Sequence, residues 1–134
     1  MRPALYAGDV VVFLRPIRPV RGDVVMIRQP SGGSDYIKRV TGLLGDTISL
    51  DAGTGELRVN GQACGSEGPD ILGRTVRAGV ERQASGGVQY PIQLDADEYF
   101  VLGDNRQDSR DSRHYGAVPR DTIDGRVIMI IRAG

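Results

Sequence analysis

The sequence is poor in the residue types on which several common kinds of site depend. It contains one cysteine, Cys64, and one histidine, His114, among its 134 residues. A lone cysteine excludes an internal disulfide, and the two residues together are too few for a Cys/His metal site. Because Cys64 lies in a Gly/Ser-rich stretch, it indicates no redox compartment. We therefore expect no metal centre in this chain.

Aromatic residues and net charge are also scarce. Trp is absent, aromatics make up 5% of the chain, and 17 basic residues balance 17 acidic ones. Nucleic-acid-binding domains usually present a basic field or stacking aromatics, so a nucleic-acid partner is not expected. No apolar run approaches the length of a membrane span, and no signal-peptide pattern opens the sequence.

Lysine is almost missing, since Lys38 is the only one and all other Lys/Arg positions hold arginine. Composition alone leaves two interpretations open. Lys38 is either the one lysine that escaped replacement by arginine, or a position that requires an amine able to lose its proton near neutral pH. A buried lysine can do so because desolvation disfavours the ammonium, whereas arginine stays charged.

The sequence is rich in short β-branched runs separated by Gly, Pro and Asp turns. This pattern predicts strands at residues 10–14, 24–27, 36–40, 47–50, 57–60, 99–102 and 126–131. Turn residues at 52–55 predict a hairpin over 46–60, and the last strand is apolar enough to be central. No helical period is sustained, so at most one short helical turn is expected, near Pro119. The predicted fold class is all-β and mostly antiparallel, without long helices.

A single domain is expected to cover residues 1–134, since no linker or repeat divides the chain. Residues 61–87 are rich in Gly, Ser and Arg and lack a clear period. This stretch is predicted to be a long surface loop or a small accessory β region.

Four segments, in order, carry the functional signal. They are Met1-Arg2-Pro3-Ala4-Leu5-Tyr6-Ala7-Gly8-Asp9-Val10, Arg21-Gly22-Asp23-Val24-Val25, Asp35-Tyr36-Ile37-Lys38-Arg39-Val40-Thr41-Gly42 with Gly45-Asp46-Thr47-Ile48, and Tyr99-Phe100-Val101-Leu102-Gly103-Asp104-Asn105-Arg106 with Ser109-Arg110-Asp111-Ser112-Arg113. A Gly-Asp pair alone says little because it marks turns everywhere, but the fourth segment is specific and four in order leave little room for chance. Over nearly its whole length the chain resembles the bacterial type I signal peptidases.

The resemblance implies the signal-peptidase catalytic fold and a serine endopeptidase that uses a Ser/Lys dyad without metal or cofactor. Such enzymes cleave signal peptides from exported preproteins after small residues, in an Ala-x-Ala pattern. By the same resemblance Lys38 is the general base, and Ser109 carries the hydroxyl that orients it. Residues 36, 38 and 40 share one face of a strand, so an inward-facing Lys38 is expected to have a lowered pKa.

The resemblance gives supporting roles to Asp104, Asn105, Arg106, Asp111 and Arg113. Asp111 and Arg113 are expected to form an architectural ion pair that braces the loop. The alternative is a solvated pair at the surface, which would contribute little to stability. Asp104 and Asn105 are good turn formers.

Substrate-binding positions follow by the same resemblance. The shallow pockets that select small residues correspond here to Met1, Leu5 and Ile37. Leu5 fits an ordinary apolar core position equally well, and Ile37 points to the strand face opposite Lys38.

The sequence departs from the family pattern at its nucleophile. The family serine corresponds to the position directly before Met1, so the chain as given is expected to be inactive. One explanation is an N-terminally shortened product, and we favour it because Lys38 and Ser109 would otherwise have no chemistry to serve. The other is a natural serine-less relative. Ala4 also replaces the usual threonine.

The expected partners are the signal peptides of exported preproteins and the membrane surface, with the domain acting as a monomer. The resemblance implies a full-length protein anchored in the cytoplasmic membrane by an N-terminal segment, with this domain on the outer side. Two alternatives stay open: a signal peptidase of a conjugative system, which would keep the chemistry, and a non-catalytic homologue that binds preproteins. Self-cleaving SOS repressors also use a Ser/Lys pair, but nothing here resembles their cleavage segment.

Overall fold

The structure, a computed structural model, describes residues 6–15, 18–29, 32–51, 53, 56–63, 67–69, 75–77, 88–105 and 109–133. Strands account for nearly all of the regular structure in these residues. In chain order they are β1 (Val10–Leu14), β2 (Val24–Ile27), β3 (Tyr36–Gly42), β4 (Thr47–Leu50), β5 (Leu57–Val59), β6 (Gln62–Ala63), β7 (Glu67–Pro69), β8 (Thr75–Arg77), β9 (Ile92–Gln93), β10 (Glu98–Leu102), β11 (Val118–Pro119) and β12 (Ile123–Ile131). A short helix, α1 (Ser112–Tyr115), follows β10, and a 3₁₀ turn (Arg120–Thr122) precedes β12.

Three antiparallel sheets result from these strands. The largest has six strands in the order β1-β12-β2-β3-β10-β11. A four-stranded sheet has the order β6-β5-β4-β9, and β7 pairs with β8. The last strand, β12, lies between β1 and β2, which confirms its predicted interior place in a sheet.

Turn chemistry fixes where several strands begin and end. Asn60 and Gly61 both have positive φ, at 52° and 79°, and they connect β5 to β6. Two consecutive residues with positive φ form the type of hairpin turn for which Asn-Gly is the preferred sequence. This turn ends β5 at Val59, one residue earlier than predicted, and starts a strand that the sequence pattern did not single out.

The all-β, mostly antiparallel prediction is confirmed. The predicted bounds match β1, β2 and β4, and the predicted 46–60 hairpin is the β4–β5 pair. Helix was underestimated, because α1 exists in addition to the turn after Pro119. Within 61–87 the structure describes Gly61, β6, β7 and β8, and the remaining residues of that stretch lie outside the described part.

The two faces of the large sheet bury different sets of side chains. One face carries a cluster of Val25, Ile27, Val40, Tyr99, Val101 and Val118, and the other carries Phe100 and Leu102, packed with Ile48, Leu57 and Leu94. Neighbouring residues alternate between these clusters because successive strand side chains point to opposite faces. Full burial of each such side chain contributes about 1.5–3 kcal/mol.

No helix among the described residues has the length and apolarity needed to cross a membrane.

Candidate active site

Lys38 lies in the middle of β3, on the face that carries the Val25 cluster. The antiparallel register sets Lys38 opposite Val25, which is fully buried. Val40, two residues along on the same face, is buried as well. The only lysine of the chain therefore has apolar neighbours on two sides and is itself half-buried.

Ser109 meets Lys38 from the segment that follows β10. Lys38 Nζ donates a hydrogen bond to Ser109 Oγ at 3.1 Å. Leu102 pairs with Arg39, so Gly103 follows at the level of Lys38. A Cβ on residue 103 would lie 2.0 Å from Ser109 Oγ and 3.5 Å from Lys38 Nζ. The contact between lysine and serine therefore requires glycine at position 103.

Asp111 and Arg113 form an ion pair beneath this contact. The guanidinium donates from Nε to Oδ1 and from Nη2 to Oδ2, both at 2.9 Å. The side chain of Asp111 is 0% exposed and that of Arg113 is 6% exposed. The alternative of a solvated surface pair is therefore wrong. Two parallel bonds between buried charges give a geometry far more restrictive than an exposed pair.

Asp111 is buried because its side chain, like that of Ser112, accepts a hydrogen bond from a backbone N–H group. Gly103 N donates to Asp111 Oδ2 at 3.0 Å, and Val101 N donates to Ser112 Oγ at 2.9 Å. The backbone pairing of β10 with β11 ends at Tyr99. Beyond that point these two side chains supply the acceptors that a neighbouring strand would otherwise offer.

The same aspartate begins α1. Its Oδ1 accepts from Arg113 N at 3.1 Å, and His114 Nδ1 accepts from Asp111 N at 3.3 Å. Together these bonds form a reciprocal cap at the helix start. His114 is exposed and is used in this cap, so its chemistry serves the loop.

A second ion pair fixes the turn after β10. Arg39 donates from Nε and Nη2 to the two carboxylate oxygens of Asp104, each at 2.8 Å. Its Nη1 also donates to Gly22 O at 2.9 Å. Arg39 follows Lys38 directly, so its guanidinium ties the strand of the lysine both to the Asp104 turn and to the turn before β2.

Burial lowers the pKa of Lys38, the direction that the sequence predicted. The carboxylates of Asp111 and Asp104 favour the ammonium and oppose this shift, while Arg113 acts in the same direction as burial. Each of the two carboxylates is paired with an arginine, which weakens its attraction for the lysine. A half-buried amine of this kind, hydrogen-bonded to a hydroxyl, can serve as a general base.

Asp111 keeps its charge despite its position. Burial by itself raises the pKa of this carboxyl, but hydrogen bonds from Arg113 and from the Gly103 N–H outweigh it and hold the pKa below its usual range. The Asp111 carboxylate is therefore ionised at neutral pH.

The remaining predicted site residues are placed as follows. Ile37 is half-buried, pairs with Met26 and lies on the face opposite Lys38. Asn105 is half-buried in the turn after Asp104. Met1, Leu5 and Arg106 lie outside the described residues, as does Cys64.

Two residues near this site were given no role from the sequence, although Tyr36 was expected on the same strand face as Lys38. The Lys38 ammonium nitrogen lies over the ring of Tyr36, 5.7 Å from its centroid. Gln29 Nε2 donates to the Tyr36 hydroxyl at 2.7 Å. The spacing of Tyr36 and Lys38 on one strand was a usable signal for the ring. No local pattern pointed to Gln29, which approaches from the end of β2.

Among the residues that the structure describes, no group of three or more His, Cys, Asp or Glu side chains is arranged to hold a metal ion.

Comparison with known proteins shows to which family the chain is similar. Residues 1–132 match the model of the family described as signal peptidase, peptidase S26. A signal peptidase I from Bacillus licheniformis is 32% identical over 131 residues, which cover 93% of this chain and 68% of the relative. A signal peptidase I from Leptolyngbya laminosa is 32% identical over 122 residues, covering 91% of this chain and 50% of the relative. The chain thus spans between half and about two thirds of the length of these two relatives.

A solved structure shares the fold. The crystal structure of a signal peptidase I from Enterococcus faecalis V583 superimposes with a TM-score of 0.57 at 24% sequence identity. The superposition covers 84% of this chain and 98% of that one.

Proposed function

Because the chain belongs to the signal peptidase family, peptidase S26, we propose that it is the catalytic domain of a serine endopeptidase that removes signal peptides from exported preproteins. The observation that carries this proposal is the 3.1 Å hydrogen bond between Lys38 Nζ and Ser109 Oγ on the inner face of β3. A Ser/Lys peptidase needs an oriented amine with a lowered pKa, and this contact supports one.

In the proposed mechanism neutral Lys38 accepts the proton of a serine hydroxyl placed directly before Met1 as that oxygen attacks the scissile carbonyl. Lys38 then protonates the leaving amine, and afterwards activates the water that hydrolyses the acyl-enzyme. Ser109 holds the amine in one direction through both steps. Burial makes this possible near neutral pH because it raises the fraction of neutral amine.

We propose that the substrate lies along the segment around Ile37, with Met1 and Leu5 completing shallow pockets for small residues. Ile37 is next to the base in sequence but on the other face of β3. The twist of β3 would therefore determine whether the Ile37 side chain contacts the substrate residue whose peptide bond is cleaved near Lys38.

We further propose that the domain acts as a monomer on the outer surface of the cytoplasmic membrane. An exposed apolar face supports the contact with the membrane. Val10 and Val12 of β1 are opposite Ile131 and Met129 of β12, and these side chains are between 37% and 56% exposed, as is Leu14. Contiguous exposed apolar side chains favour contact with a membrane or a protein. Hereafter these five residues are called the β1–β12 face.

Turnover of a peptide that carries an Ala-x-Ala site tests the proposed activity. The chain as given and a form with serine directly before Met1 are assayed side by side. We expect turnover only in the serine form, and we expect Lys38→Met to reduce its kcat by about 10³-fold or more. Methionine is chosen because it retains an unbranched buried side chain while removing the amine.

The matched control is Arg28→Met, which removes an exposed cation at the end of β2 and should leave kcat unchanged. Turnover that survives Lys38→Met would contradict the proposed base. Saturable binding of the peptide without turnover in the serine form would instead favour a preprotein-binding protein.

A further inference from the structure

The ring of Tyr36 is placed where the charge on Lys38 changes. Tyr36 and Lys38 are two residues apart on β3, so both side chains leave the same face. Lys38 Nζ lies over this ring, 5.7 Å from its centroid. That distance is within the range at which an aromatic face attracts a cation. The same amine donates a hydrogen bond to Ser109 Oγ at 3.1 Å.

Gln29 holds the ring in this position. Its amide Nε2 donates to the Tyr36 hydroxyl at 2.7 Å. The amide oxygen lies where a side chain of residue 33 would otherwise lie, because a Cβ there would be 2.0 Å from Gln29 Oε1. Gly33 therefore makes room for the glutamine amide, and the amide in turn fixes the far end of Tyr36.

We propose that Tyr36, fixed by Gln29, is a positioning residue whose ring face stabilises the positive charge that Lys38 acquires when it accepts a proton. The proposal rests on the proposed function for its role in catalysis, but the contact can be tested without catalysis. A general base in an apolar site must be uncharged before the reaction, and it must still be basic enough to accept a proton during the reaction. A ring satisfies both needs because it excludes water and attracts the ammonium once it forms.

The charged groups that act on Lys38 are Asp111, Arg113 and Asp104, and each carboxylate is paired with an arginine. Against the effect of burial, hydrogen bonds from Arg113 and the Gly103 N–H hold the pKa of Asp111 below its usual range, so this carboxylate stays charged at neutral pH and above. Burial raises the pKa of the Tyr115 hydroxyl, with smaller contributions from Asp111 and Tyr36, so Tyr115 remains neutral. Ser109, which accepts the hydrogen bond from the amine, carries no charge. A fall in the pKa of Lys38 on altering Tyr36 therefore reports the lost attraction of the ring, because the loss of an apolar cover alone would raise that pKa.

The chain offers a direct probe, since Lys38 is its only lysine. Protein grown with ¹³C- and ¹⁵N-labelled lysine gives one side-chain signal, whose shift with pH reports the pKa of this amine. We expect Tyr36→Leu, which keeps an apolar cover but removes the ring, to lower that pKa by about one unit. Tyr36→Phe keeps the ring and should lower it by less.

An unchanged or raised pKa in Tyr36→Leu would overturn the proposal, since the ring would then act only as a cover or not at all. Should Tyr36→Leu fail to fold, phenylalanines with increasing ring fluorination at position 36 provide the same test at nearly constant shape. Fluorine withdraws the negative potential of the ring face, so the pKa of Lys38 should fall stepwise. A pKa that is indifferent to fluorination would be contrary to the proposal.

The role of Gln29 is tested by Gln29→Met in two backgrounds. With Tyr36 present this change should lower the pKa of Lys38 slightly, and with Leu at position 36 it should have no further effect. An equal shift in both backgrounds would show that Gln29 acts independently of the ring.

Failure of this proposal can be told apart from failure of the proposed function. If the serine form does not cleave the peptide but the pKa of Lys38 falls in Tyr36→Leu as expected, the proposed function is wrong and the role of the ring stands. If the serine form cleaves the peptide but the pKa of Lys38 does not fall in Tyr36→Leu, the role of the ring is wrong and the proposed function stands.

Discussion

The two ends of the six-stranded sheet differ in the kind of side chain that they bury and the kind that they expose. Around β3 and β10, charged side chains are withdrawn from water, and Asp111 is 0% exposed. At β1 and β12, apolar side chains are left in water, with Val10 56% exposed. Most folded domains avoid both arrangements. A buried charge needs a partner and an exposed apolar face needs a function, so each end of the sheet indicates a role beyond folding.

The partners of the buried charges also differ from those on the surface. Asp111 accepts two bonds of 2.9 Å from one guanidinium. By contrast, Asp124, whose own side chain is 17% exposed, lies 3.7 Å from Arg15 and 3.9 Å from Arg28, and the side chains of both arginines are about 60% exposed. Removal of the carboxylate should therefore cost much stability at Asp111 and little at Asp124.

The largest effect on stability is expected for Asp111→Ala. This change leaves Arg113 buried without a counter-charge and removes the acceptor of the Gly103 N–H, so we expect the free energy of unfolding to fall by about 3–5 kcal/mol. Asp124→Ala should cost less than about 1 kcal/mol. Urea unfolding followed by circular dichroism measures both, and similar costs for the two variants would refute the contrast.

Low pH should reduce the loss of stability that is caused by Asp111→Ala. The folded pKa of Asp111 lies below its unfolded value of about 3.9. Its contribution to stability is therefore fully present above the unfolded pKa and is lost as the pH falls through the folded pKa. The gap in unfolding free energy between the original chain and Asp111→Ala should narrow below about pH 4. A gap that stays constant in acid would mean that the carboxyl is not ionised in the folded state.

A smaller but functional effect is expected for Gly103→Ala in the serine form. The added methyl would collide with Ser109 Oγ, which moves the hydroxyl away from Lys38. We expect kcat to fall by about 10²-fold, because displacements near 1 Å at a catalytic group have this effect. Gly53→Ala is the matched control, since its Cβ would come no closer than 3.4 Å to other atoms. Full activity of Gly103→Ala would show that the Lys38–Ser109 contact is dispensable.

The smallest effect on catalysis is expected at the other end of the sheet. Val12→Ser with Met129→Ser removes a facing apolar pair from the β1–β12 face. We expect binding to phosphatidylglycerol vesicles to weaken by about tenfold through lost apolar contact, while turnover of a soluble peptide is unchanged. Leu44→Ser, at an exposed leucine in the turn before β4, should change neither. If the Val12→Ser and Met129→Ser variant bound vesicles as tightly as the original chain, the β1–β12 face would be excluded as the membrane contact.

The strands of this fold were largely predictable because their signals are local. β1, β2 and β4 are β-branched runs bounded by turn residues, and pattern alone located them. α1 was missed because four residues are too few to show a helical period. Its start depends on the carboxylate of Asp111 and the ring of His114, a cap that only the folded loop reveals.

At the site, the sequence predicted identities better than environments. Lys38 and Ser109 came from motif resemblance, and the strand pattern predicted the lowered pKa of the lysine. The burial of Asp111 was not predictable, because its cause is the unpaired edge of β10 beyond Tyr99, eight or more residues away. Gln29 was missed for the same reason, since only the pairing of β2 with β3 brings it to Tyr36.

Burial makes Lys38 a weaker base, and the pKa of its amine can be measured directly in this chain. With Lys38 as the only lysine, isotope-labelled lysine yields one signal to titrate in the folded chain and in urea. We expect a folded pKa clearly below the ordinary lysine value of about 10.4 and a return to that value on unfolding. The same pKa in both states would contradict a general base at this position.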